Sequence, residues 1–472
     1  MELSGMCLHP LHRKFQRMGG QSVKDLEATL RSFRSKPAET LSDSDIASSC
    51  VSVHDSQLLV SEGDAVIFKL SLVLFNVDSG LDRYSGLPAI WLQSPGAEVL
   101  ACVLVSRTGE AAAASALEAI CACGAIHKDL RCVYKLQSDV LGKGNFGSVR
   151  LVSSKGSSSE FAAKLLETES LPMVSVGGST QAIPQEAVML LAAQAHPNIL
   201  RFVGIFGTQE TSDDTAAKDQ DWPLQWALVT ECCPGGDLFT LVKSEGPCRE
   251  SHATNLMTGV LAALKHLHHR GLVHRDVKAE NVLLRADGVP VLGDFGICVS
   301  VANDPNWKSF SESLVYTTPE VLAKTGASLA NEVHWNSGSP GYIAPEILLK
   351  TGKYGPKIDV FAAGVVYYFL LSGDLPFGGG DIASTLRRNS RCKVKFDANP
   401  SFQHVSTDCL CLVKLFLSRL PEDRPSSIEA LALISTEDCL KKERDVVAVR
   451  RPASCPKQRR PRSDFHRRYQ SN

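Results

Sequence analysis

The stretch His274-Arg275-Asp276-Val277-Lys278-Ala279-Glu280-Asn281 carries the strongest signal in this sequence, and Asp294-Phe295-Gly296 begins thirteen residues after Asn281. Together the two stretches bring two carboxylates, a lysine and a carboxamide into a short span of chain. A carboxylate can orient a hydroxyl group, a lysine can neutralise a phosphate in transfer, and carboxylate and amide oxygens can hold Mg²⁺. The residues therefore predict phosphoryl transfer.

A glycine-rich run, Gly142-x-Gly144-x-x-Gly147, lies upstream, and glycines let the backbone approach phosphate oxygens closely. The run continues through Val149 as a strand, which argues against a dinucleotide-binding fold, where a helix follows. Lys164 stands 22 residues after Gly142, on a second predicted strand. Glu186, in a helical pattern, is the candidate anion for Lys164. The alternative is that Glu186 is an ordinary solvated helix residue.

These motifs, in this order and spacing, resemble the eukaryotic-type serine/threonine protein kinases, in particular their calmodulin-dependent and cyclic-nucleotide-dependent branches. Lys278, two residues after Asp276, is the serine/threonine pattern. The resemblance covers residues 134–434 and implies an α+β, bilobal protein-kinase fold. Its N-lobe would be an antiparallel sheet plus a helix, and its C-lobe mainly helical. The resemblance also implies ATP and Mg²⁺.

Roles for individual residues follow from this resemblance. Asp276 and Lys278 would be catalytic, and Lys164, paired with Glu186, would hold the α- and β-phosphates. Asn281 and Asp294 would hold the metal. Ten residues would line the ATP site: Gly142, Gly144, Gly147, Val149, Ala162, Lys164, Glu231, Cys233, Asp237 and Leu283.

The resemblance further implies a set of supporting contacts. Thr230 would be the gatekeeper before the hinge, and Ser339 would bond Asp276 and Lys278. A buried helix would present Asp359 to the catalytic loop. Two more groups complete the set: the structural ion pair Glu346–Arg424, and the apolar column Leu190, His274 and Phe295.

Downstream of Asp294 the chain repeats itself. Ser313–Gly326 and Ser339–Gly352 align at a constant offset of 26 residues and share Ser, Tyr, Pro-Glu, Leu and Lys-Thr-Gly. In the family such a segment ends the activation segment, and the 52 residues from Asp294 to Glu346 are long for one. We interpret the pair as a tandem duplication. We expect the second copy to complete the site and the first to be an inserted loop.

Arg275 before Asp276 is the pattern of kinases whose activation loop is ordered by a phosphate. Candidate acceptors in the loop are Ser309, Ser311, Ser313, Thr317 and Ser337; the alternative is a serine-rich loop without phosphate. Asp237 and Glu280 match positions that read basic residues upstream of the acceptor, so we expect basophilic protein substrates.

The segments outside 134–434 carry weaker signals. Residues 1–45 are polar and are predicted to be largely disordered. Residues 46–127 are predicted to be a small α+β domain with a turn at Asp78–Gly80 and a final helix from 109 to 123, N-capped by Thr108. Strands followed by one helix resemble a pleckstrin-homology domain, which implies phosphoinositide contact. No tryptophan lies in 109–125, although that family's helix normally carries one, so an unrelated module stays open.

Composition sets broad limits. The net charge of −1 over 472 residues indicates no general electrostatic partner, and we expect no specific nucleic acid. The basic tail at 436–472 is the exception: from Lys441 onward it holds eleven Lys/Arg against three Asp/Glu, including Arg three residues before Ser454 and Ser463. It is either an autophosphorylation or pseudosubstrate segment, or a solvated or nuclear-import tail.

Fifteen cysteines without paired CxxC spacing indicate reduced thiols and a cytoplasmic protein, with a nuclear or peripheral membrane location as alternatives. No apolar run reaches the ~18 residues of a membrane span. We expect a monomer. Two rival functions stay open, a pseudokinase scaffold and a lipid-recruited adaptor.

Overall fold

The structure, a computed structural model, describes residues 2–3, 6–8, 49–54, 57–62, 65–72, 76–81, 87–93, 100–127, 129–144, 147–155, 159–166, 172–175, 182–207, 226–300, 339–349, 355–396 and 399–435. Most of the predicted disordered segment 1–45, the first copy of the repeated segment with the five candidate phosphorylation sites, and the tail 436–472 lie outside these residues. Among the described helices, none is long and apolar enough to span a membrane.

Nineteen strands and ten helices are distinguished in the described residues. The strands are β1 Met6–Leu8, β2 Ser49–His54, β3 Gln57–Glu62, β4 Ala65–Ser71, β5 Asn76–Leu81, β6 Pro88–Gln93, β7 Leu100–Ser106, β8 Ile126–His127, β9 Tyr134–Gly144, β10 Gly147–Ser154, β11 Glu160–Leu166, β12 Met173–Ser175, β13 Ala182–Pro184, β14 Phe202–Gly207, β15 Trp226–Glu231, β16 Leu272–Val273, β17 Val282–Leu284, β18 Pro290–Leu292 and β19 Val299–Ser300. The helices are α1 Glu110–Ala122, α2 Leu130–Val133, α3 Gln185–Ala193, α4 Leu238–Glu245, α5 Glu250–His269, α6 Pro345–Leu348, α7 Lys357–Ser372, α8 Ile382–Arg391, α9 Thr407–Phe416 and α10 Ser427–Ile434.

The N-terminal part consists of two antiparallel strand groups, β2–β4 and β5–β7, followed by helix α1. The predicted turn at Asp78–Gly80 is wrong, because these residues lie in the middle of β5. Glycine suits position 80 because the Trp91 ring lies close above it: a Cβ there would be only 3.3 Å from the ring, which is a tight contact. Thr108 is not the cap of α1; Gly109, at φ 99°, holds that position without a side-chain bond.

This part is not separate from the kinase-like part. Ile126 of β8 pairs in parallel with Asn76 of β5 on one side and with Ile205 of β14 on the other. One sheet therefore runs through ten strands, in the order β1-β7-β6-β5-β8-β14-β15-β11-β10-β9. The sequence suggested a division between 46–127 and 134–434, and this sheet crosses it. The resemblance to a pleckstrin-homology domain stays a prediction.

A common core lies under the shared sheet. Helix α1 contributes Ile120 and Cys121 to one buried apolar cluster with residues of β9, β11, β14 and β15. The Tyr134 ring lies edge-on to Phe161 and Phe206, with centroids 5.6 and 5.7 Å apart. Because side chains alternate along a strand, the other face of β14 and β15 is free to pack on α3. Strands β14 and β15 are thus covered on both faces.

The C-lobe is mainly helical, as predicted. Its centre is α7, which is buried at every position from Ile358 to Ser372 and is surrounded by α5, α9 and α10. A helix that is apolar all round must lie inside a protein or a membrane, and here it forms the C-lobe core. Gly373, at φ 76°, ends it in the left-handed conformation. The bilobal fold expected from the sequence is confirmed.

The shared core predicts that α1 stabilises the kinase lobes. Ile120→Ala should lower the free energy of unfolding by about 2–5 kcal/mol, because Ile120 is fully buried. Ser115→Ala, at an exposed position of the same helix, should change it little. Thermal and denaturant unfolding of the full chain measure both. An Ile120→Ala variant that melts like the Ser115→Ala variant would show that the common core contributes nothing.

Candidate active site

The glycine-rich run forms the hairpin β9–β10, with Gly144 opposite Gly147 and Gly142 opposite Val149. Gly147 has φ 139°, and a Cβ there would collide with the carbonyl oxygen of Leu165. Only glycine fits this position without displacing β11. The next pairing places Val149 opposite Lys164, so the hairpin lies directly beside the predicted phosphate-binding lysine.

Lys164 is held between two carboxylates. Its Nζ donates to both oxygens of Glu186 at 2.8 Å and to Oδ1 of Asp294 at 3.2 Å. Burial disfavours the ammonium, but the two carboxylates raise the pKa of Lys164 above its ordinary value. Burial likewise opposes ionisation of Asp294, yet Lys164 holds the pKa of that carboxyl below its ordinary value. Strand β11, helix α3 and the Asp-Phe-Gly turn therefore meet at one charged cluster.

The catalytic loop gathers a second cluster around Asp276. Lys278 Nζ donates to Oδ2 of Asp276 at 2.7 Å and to Ser339 Oγ at 2.9 Å. Ser339 Oγ donates to Oδ1 of Asp276 at 3.0 Å. Asn281 Nδ2 donates to the backbone oxygen and to Oδ2 of Asp276, at 2.8 and 2.9 Å. The second copy of the repeated segment thus contacts the predicted catalytic pair through Ser339, as expected.

A buried carboxylate fixes the shape of this loop. Asp359, at the start of α7, accepts from the backbone N–H of His274 and of Arg275 at 2.9 Å each, and its Oδ2 lies 2.9 Å from Nε2 of His268. Burial opposes its charge, but these partners lower the pKa of Asp359 below its ordinary value. Arg275 has φ 70°, a conformation rare for a residue with a side chain. Its bond to Asp359 supports that conformation.

The Asp-Phe-Gly turn places its aspartate and its phenylalanine on opposite sides. Asp294 has φ 58° and faces Lys164, while Phe295 is buried. The Phe295 ring lies edge-on to His274 with centroids 4.9 Å apart. Leu190 of α3 is buried in the same cluster. Two members of the predicted apolar column, His274 and Phe295, are therefore in contact, and Asp294 points toward Lys164.

The predicted hinge follows β15. Thr230 is buried, and the N–H of Glu231 donates to the Arg201 carbonyl at 3.0 Å. The Glu231 carbonyl accepts from the Thr230 hydroxyl at 3.3 Å, and the Cys233 carbonyl accepts from the Gly236 N–H at 3.2 Å. An adenine would therefore use the second lone pair of the Glu231 carbonyl and the N–H of Cys233. Both oxygens of Asp237 accept from Thr240, because Asp237 is the N-cap of α4. Its predicted role in the ATP site would use the remaining lone pairs.

The other predicted ATP-site residues lie on the facing strands. Ala162 stands opposite Thr230 in the β11–β15 pair, and Leu283 of β17 bridges to Asp237. Ala162 of β11 therefore lies beside the strand that leads into the hinge, and Leu283 of β17 lies beside the residues that follow it. The site residues predicted from the sequence are thus brought together, and Val149, Ala162 and Leu283 are partly exposed, as a ligand wall requires.

Two contacts of the site were not predicted. Arg285 forms a forked pair with Glu231, at 2.9 Å to each oxygen, and this bond raises the pKa of the guanidinium. Gln185, next to Glu186, donates its Nε2 to the carbonyl of Cys298 at 2.8 Å in a buried position. The first contact fixes the hinge to β17, and the second fixes α3 to the segment after the Asp-Phe-Gly turn.

The structural ion pair is also present. Arg424 donates to both oxygens of Glu346 at 2.7 Å, and both side chains are buried. Arg424 also donates to the carbonyls of Ser418, Arg419 and Lys357. Such a fork satisfies both charges in the interior. It fixes α6, at the end of the activation segment, to the C-lobe.

The donor set suits Mg²⁺ and a polyphosphate. Asn281 uses its nitrogen toward Asp276, which leaves its oxygen for a cation, and Asp294 keeps one oxygen outside its bond to Lys164. Among the described residues no three His, Cys, Asp or Glu side chains form a metal cluster. Two protein oxygens completed by phosphate oxygens are how Mg²⁺ is commonly bound beside a nucleotide.

Comparison with known proteins agrees with this geometry. The family description that matches the chain is the protein kinase domain, over residues 136–337 and 327–434, more than half of the 472 residues. The chain belongs to the protein kinase family. The predicted family is confirmed, and the family's phosphate donor and metal are ATP and Mg²⁺.

Curated relatives are similar over this domain. The serine/threonine-protein kinase PEPKR2 of Arabidopsis thaliana is 30% identical over 291 residues, covering 62% of this chain and 51% of that protein. Calcium-dependent protein kinase 4 of the same plant is 32% identical over 291 residues, covering 62% and 50%. A death-associated protein kinase related protein of Drosophila melanogaster is 29% identical over 324 residues, covering 67% and 41%. The chain spans about half the length of these kinases or less.

The Gln185 contact predicts how firmly α3 is held. Gln185→Leu keeps the volume but leaves the Cys298 carbonyl buried without its donor, at a cost of about 1–3 kcal/mol. If α3 opens locally, its backbone amides should exchange with deuterium roughly 5- to 150-fold faster. Gln403→Leu, at an exposed C-lobe position, is the control. Unchanged exchange in α3 would contradict an anchoring role.

The buried fork predicts a large stability effect. Arg424→Met should lower the free energy of unfolding by about 3–5 kcal/mol, because Glu346 is left as an uncompensated buried charge. Arg419→Met removes an exposed guanidinium five residues away and should change it by less than about 0.5 kcal/mol. Denaturant unfolding compares the two. Equal effects would mean that the fork does not stabilise the C-lobe.

Proposed function

We propose that this chain is a serine/threonine protein kinase that transfers the γ-phosphate of ATP to protein hydroxyl groups. The observation that carries the proposal is the closed cluster of Asp276, Lys278, Asn281 and Ser339. It stands beside the Lys164–Glu186–Asp294 cluster, so the groups for both substrates are present. The serine/threonine class is supported by Lys278 and by the name of the Arabidopsis thaliana relative, serine/threonine-protein kinase PEPKR2.

In this mechanism each residue has a definite task. Asp276 orients the substrate hydroxyl and receives its proton, while the hydroxyl oxygen forms a bond to the γ-phosphorus. The bond from that phosphorus to the bridging oxygen breaks, and ADP leaves with the electron pair. Lys278 neutralises the moving phosphate, and Lys164 holds the phosphates that remain. Bound Mg²⁺, held by Asn281 and Asp294, would supply charge neutralisation at the phosphate oxygens.

We propose basophilic substrates on the basis of an acidic surface near the catalytic loop. Glu280 is exposed beside the catalytic loop, and desolvation by the surrounding protein raises the pKa of its carboxyl. Asp237 lies close enough to contribute to that shift, as does Asp276. A basic side chain of the substrate would relieve this repulsion. The proposal therefore has an electrostatic reason as well as the family resemblance.

We propose that the end of the activation segment is duplicated and that the second copy, Ser339–Gly352, completes the active site. Three contacts of that copy support this: Ser339 with Lys278, Ser339 with Asp276, and Glu346 with Arg424. The family match falls into two pieces rather than one continuous piece, in keeping with extra residues in this region. Phosphorylation of the inserted loop stays a proposal, as do a cytoplasmic location, a monomeric state and phosphoinositide contact through 46–127.

The rival candidate is a binding protein that keeps the fold without turnover. The length of the segment between Asp294 and Glu346 favours it, because an insertion could cover the peptide site. The charged clusters argue the other way, since every side chain that the transfer needs is present and paired. A transfer assay separates the two candidates.

The assay measures phosphate transfer from labelled ATP to a serine peptide with upstream arginines, with Mg²⁺ present. The full chain should phosphorylate it, and Asp276→Asn should reduce kcat by about 10²–10⁴-fold, since the group that orients the hydroxyl is lost. A threonine acceptor should be used and a tyrosine acceptor should not. ATP binding with no transfer by the unaltered chain would contradict the proposal and favour the binding protein.

A further inference from the structure

Helix α8 and the residues after it carry an unusual charge. Between Ile382 and Phe396 the chain has five basic residues and no acidic one, although its total charge is −1. All five are exposed: Arg387, Arg388, Arg391, Lys393 and Lys395. They are called the α8 basic surface below.

Ion pairs within the described structure do not neutralise these charges. Arg388 donates to the backbone oxygen of Gly378, and none of the five takes part in an ion pair with another described residue. The nearest carboxylate in sequence, Asp381, is the N-cap of α8 and accepts from the Ser384 N–H; this bond and, more weakly, the charge of Arg387 lower the pKa of its carboxyl. An exposed concentration of one charge sign attracts a partner of the opposite sign.

Adjacent elements extend the same surface. Cys392, which ends α8, donates its Sγ to the carbonyl of Leu417 at 3.1 Å, which joins α8 to the end of α9. Lys414 and Arg419 are exposed beside this junction. Ile382, at the other end of α8, is 64% exposed and offers an apolar contact next to the charges. The surface thus combines basic groups with one apolar anchor.

The α8 basic surface is connected to the catalytic loop by short contacts. Asn389, buried on the inner face of α8, donates to the carbonyl of Ile343 at 3.0 Å. A Cβ on Gly341 would lie 3.9 Å from the methyl group of Thr385 in α8. Ser339, two residues earlier, bonds Asp276 directly. A protein whose hydroxyl reaches Asp276 therefore passes close to α8.

We propose that the α8 basic surface binds an acidic stretch of the protein substrate, outside the residues around the acceptor. The proposal rests on the proposed kinase function and adds a second recognition element to it. Substrates would carry basic residues near the acceptor, toward Glu280, and acidic residues farther away. Contacts between exposed charges speed association and select partners, and they weaken with salt.

Two matched peptides test this. Both carry the same serine core with upstream arginines. One is extended by a run of glutamates and the other by a run of glutamines of equal length. Each peptide is made in two versions, with the extension at the N-terminal or at the C-terminal end. The glutamate version should be favoured in kcat/KM on the order of tenfold at low salt, from several exposed charge contacts. Arg387→Gln combined with Arg391→Gln and Lys393→Gln should remove that advantage and leave the core peptide unchanged.

A control variant neutralises the same number of exposed charges elsewhere, with Lys135→Gln, Arg249→Gln and Lys265→Gln, and should keep the advantage. No glutamate advantage, or an advantage that survives the α8 variant, overturns the proposal. Vesicles of phosphatidylserine and phosphatidylcholine test the other partner. If the chain binds them, the α8 variant does not, and no glutamate advantage is seen, the proposal is overturned and the surface binds a membrane.

A binding measurement tests the docking surface independently of phosphate transfer. If no peptide is phosphorylated, fluorescence anisotropy measures binding of the glutamate-extended peptide to the full chain. Salt-sensitive binding that only the α8 variant loses supports the docking surface even then. Equal binding of the glutamate and glutamine peptides overturns it.

Discussion

Lys164 between Glu186 and Asp294 is the interaction on which the described site depends. The ammonium belongs to β11, the first carboxylate to α3, and the second to the turn before the activation segment. Lys164 and Glu186 are largely buried and need each other, because an unpaired charge in the interior costs several kcal/mol, whereas Asp294 is partly exposed toward the cleft. The cluster therefore sets the distance between the two lobes and the direction of the Asp-Phe-Gly turn. Asp276 and Asp294 come to face the same cleft as a result.

Two supports outside the cleft hold this arrangement. Gln185 joins the start of α3 to the carbonyl of Cys298, so the helix is fixed beside the turn that carries Asp294. Asp359 holds the backbone of the catalytic loop through two N–H groups, which fixes Arg275 in its left-handed conformation. The described side chains thus adopt the geometry expected of an active kinase.

Much of this followed from the sequence, because the chemistry of phosphoryl transfer demands particular residue types at particular spacings. Lys164, Glu186 and Asp276 were identified in that way. Arg285 with Glu231 and Gln185 with Cys298 were not, since these partners are 54 and 113 residues apart and neither pair lies in a motif. The joined sheet was missed for a similar reason. Strand β8 has only two residues, too short to show a strand pattern, yet it links β5 to β14.

The shared sheet makes the N-terminal part a structural component of the N-lobe. In the described residues it covers the face of the N-lobe sheet that lies opposite α3, and Tyr134, Phe161 and Phe206 are buried beneath it. The strand β11 that carries Lys164 packs on this core through Phe161, Ala163 and Leu165, while Ala162 and Lys164 on its other face stay partly exposed. A change in the N-terminal part could therefore reach the nucleotide site through β14, β15 and β11, without any contact to the cleft itself.

We expect the Lys164 cluster to bind ATP together with Mg²⁺. Calorimetric titration of ATP into the full chain, with and without Mg²⁺, tests it most directly. Mg²⁺ should tighten ATP binding, and Asp294→Asn should remove the effect of Mg²⁺ because a metal-binding oxygen is lost. ATP binding of equal strength with and without Mg²⁺, unchanged by Asp294→Asn, would contradict it.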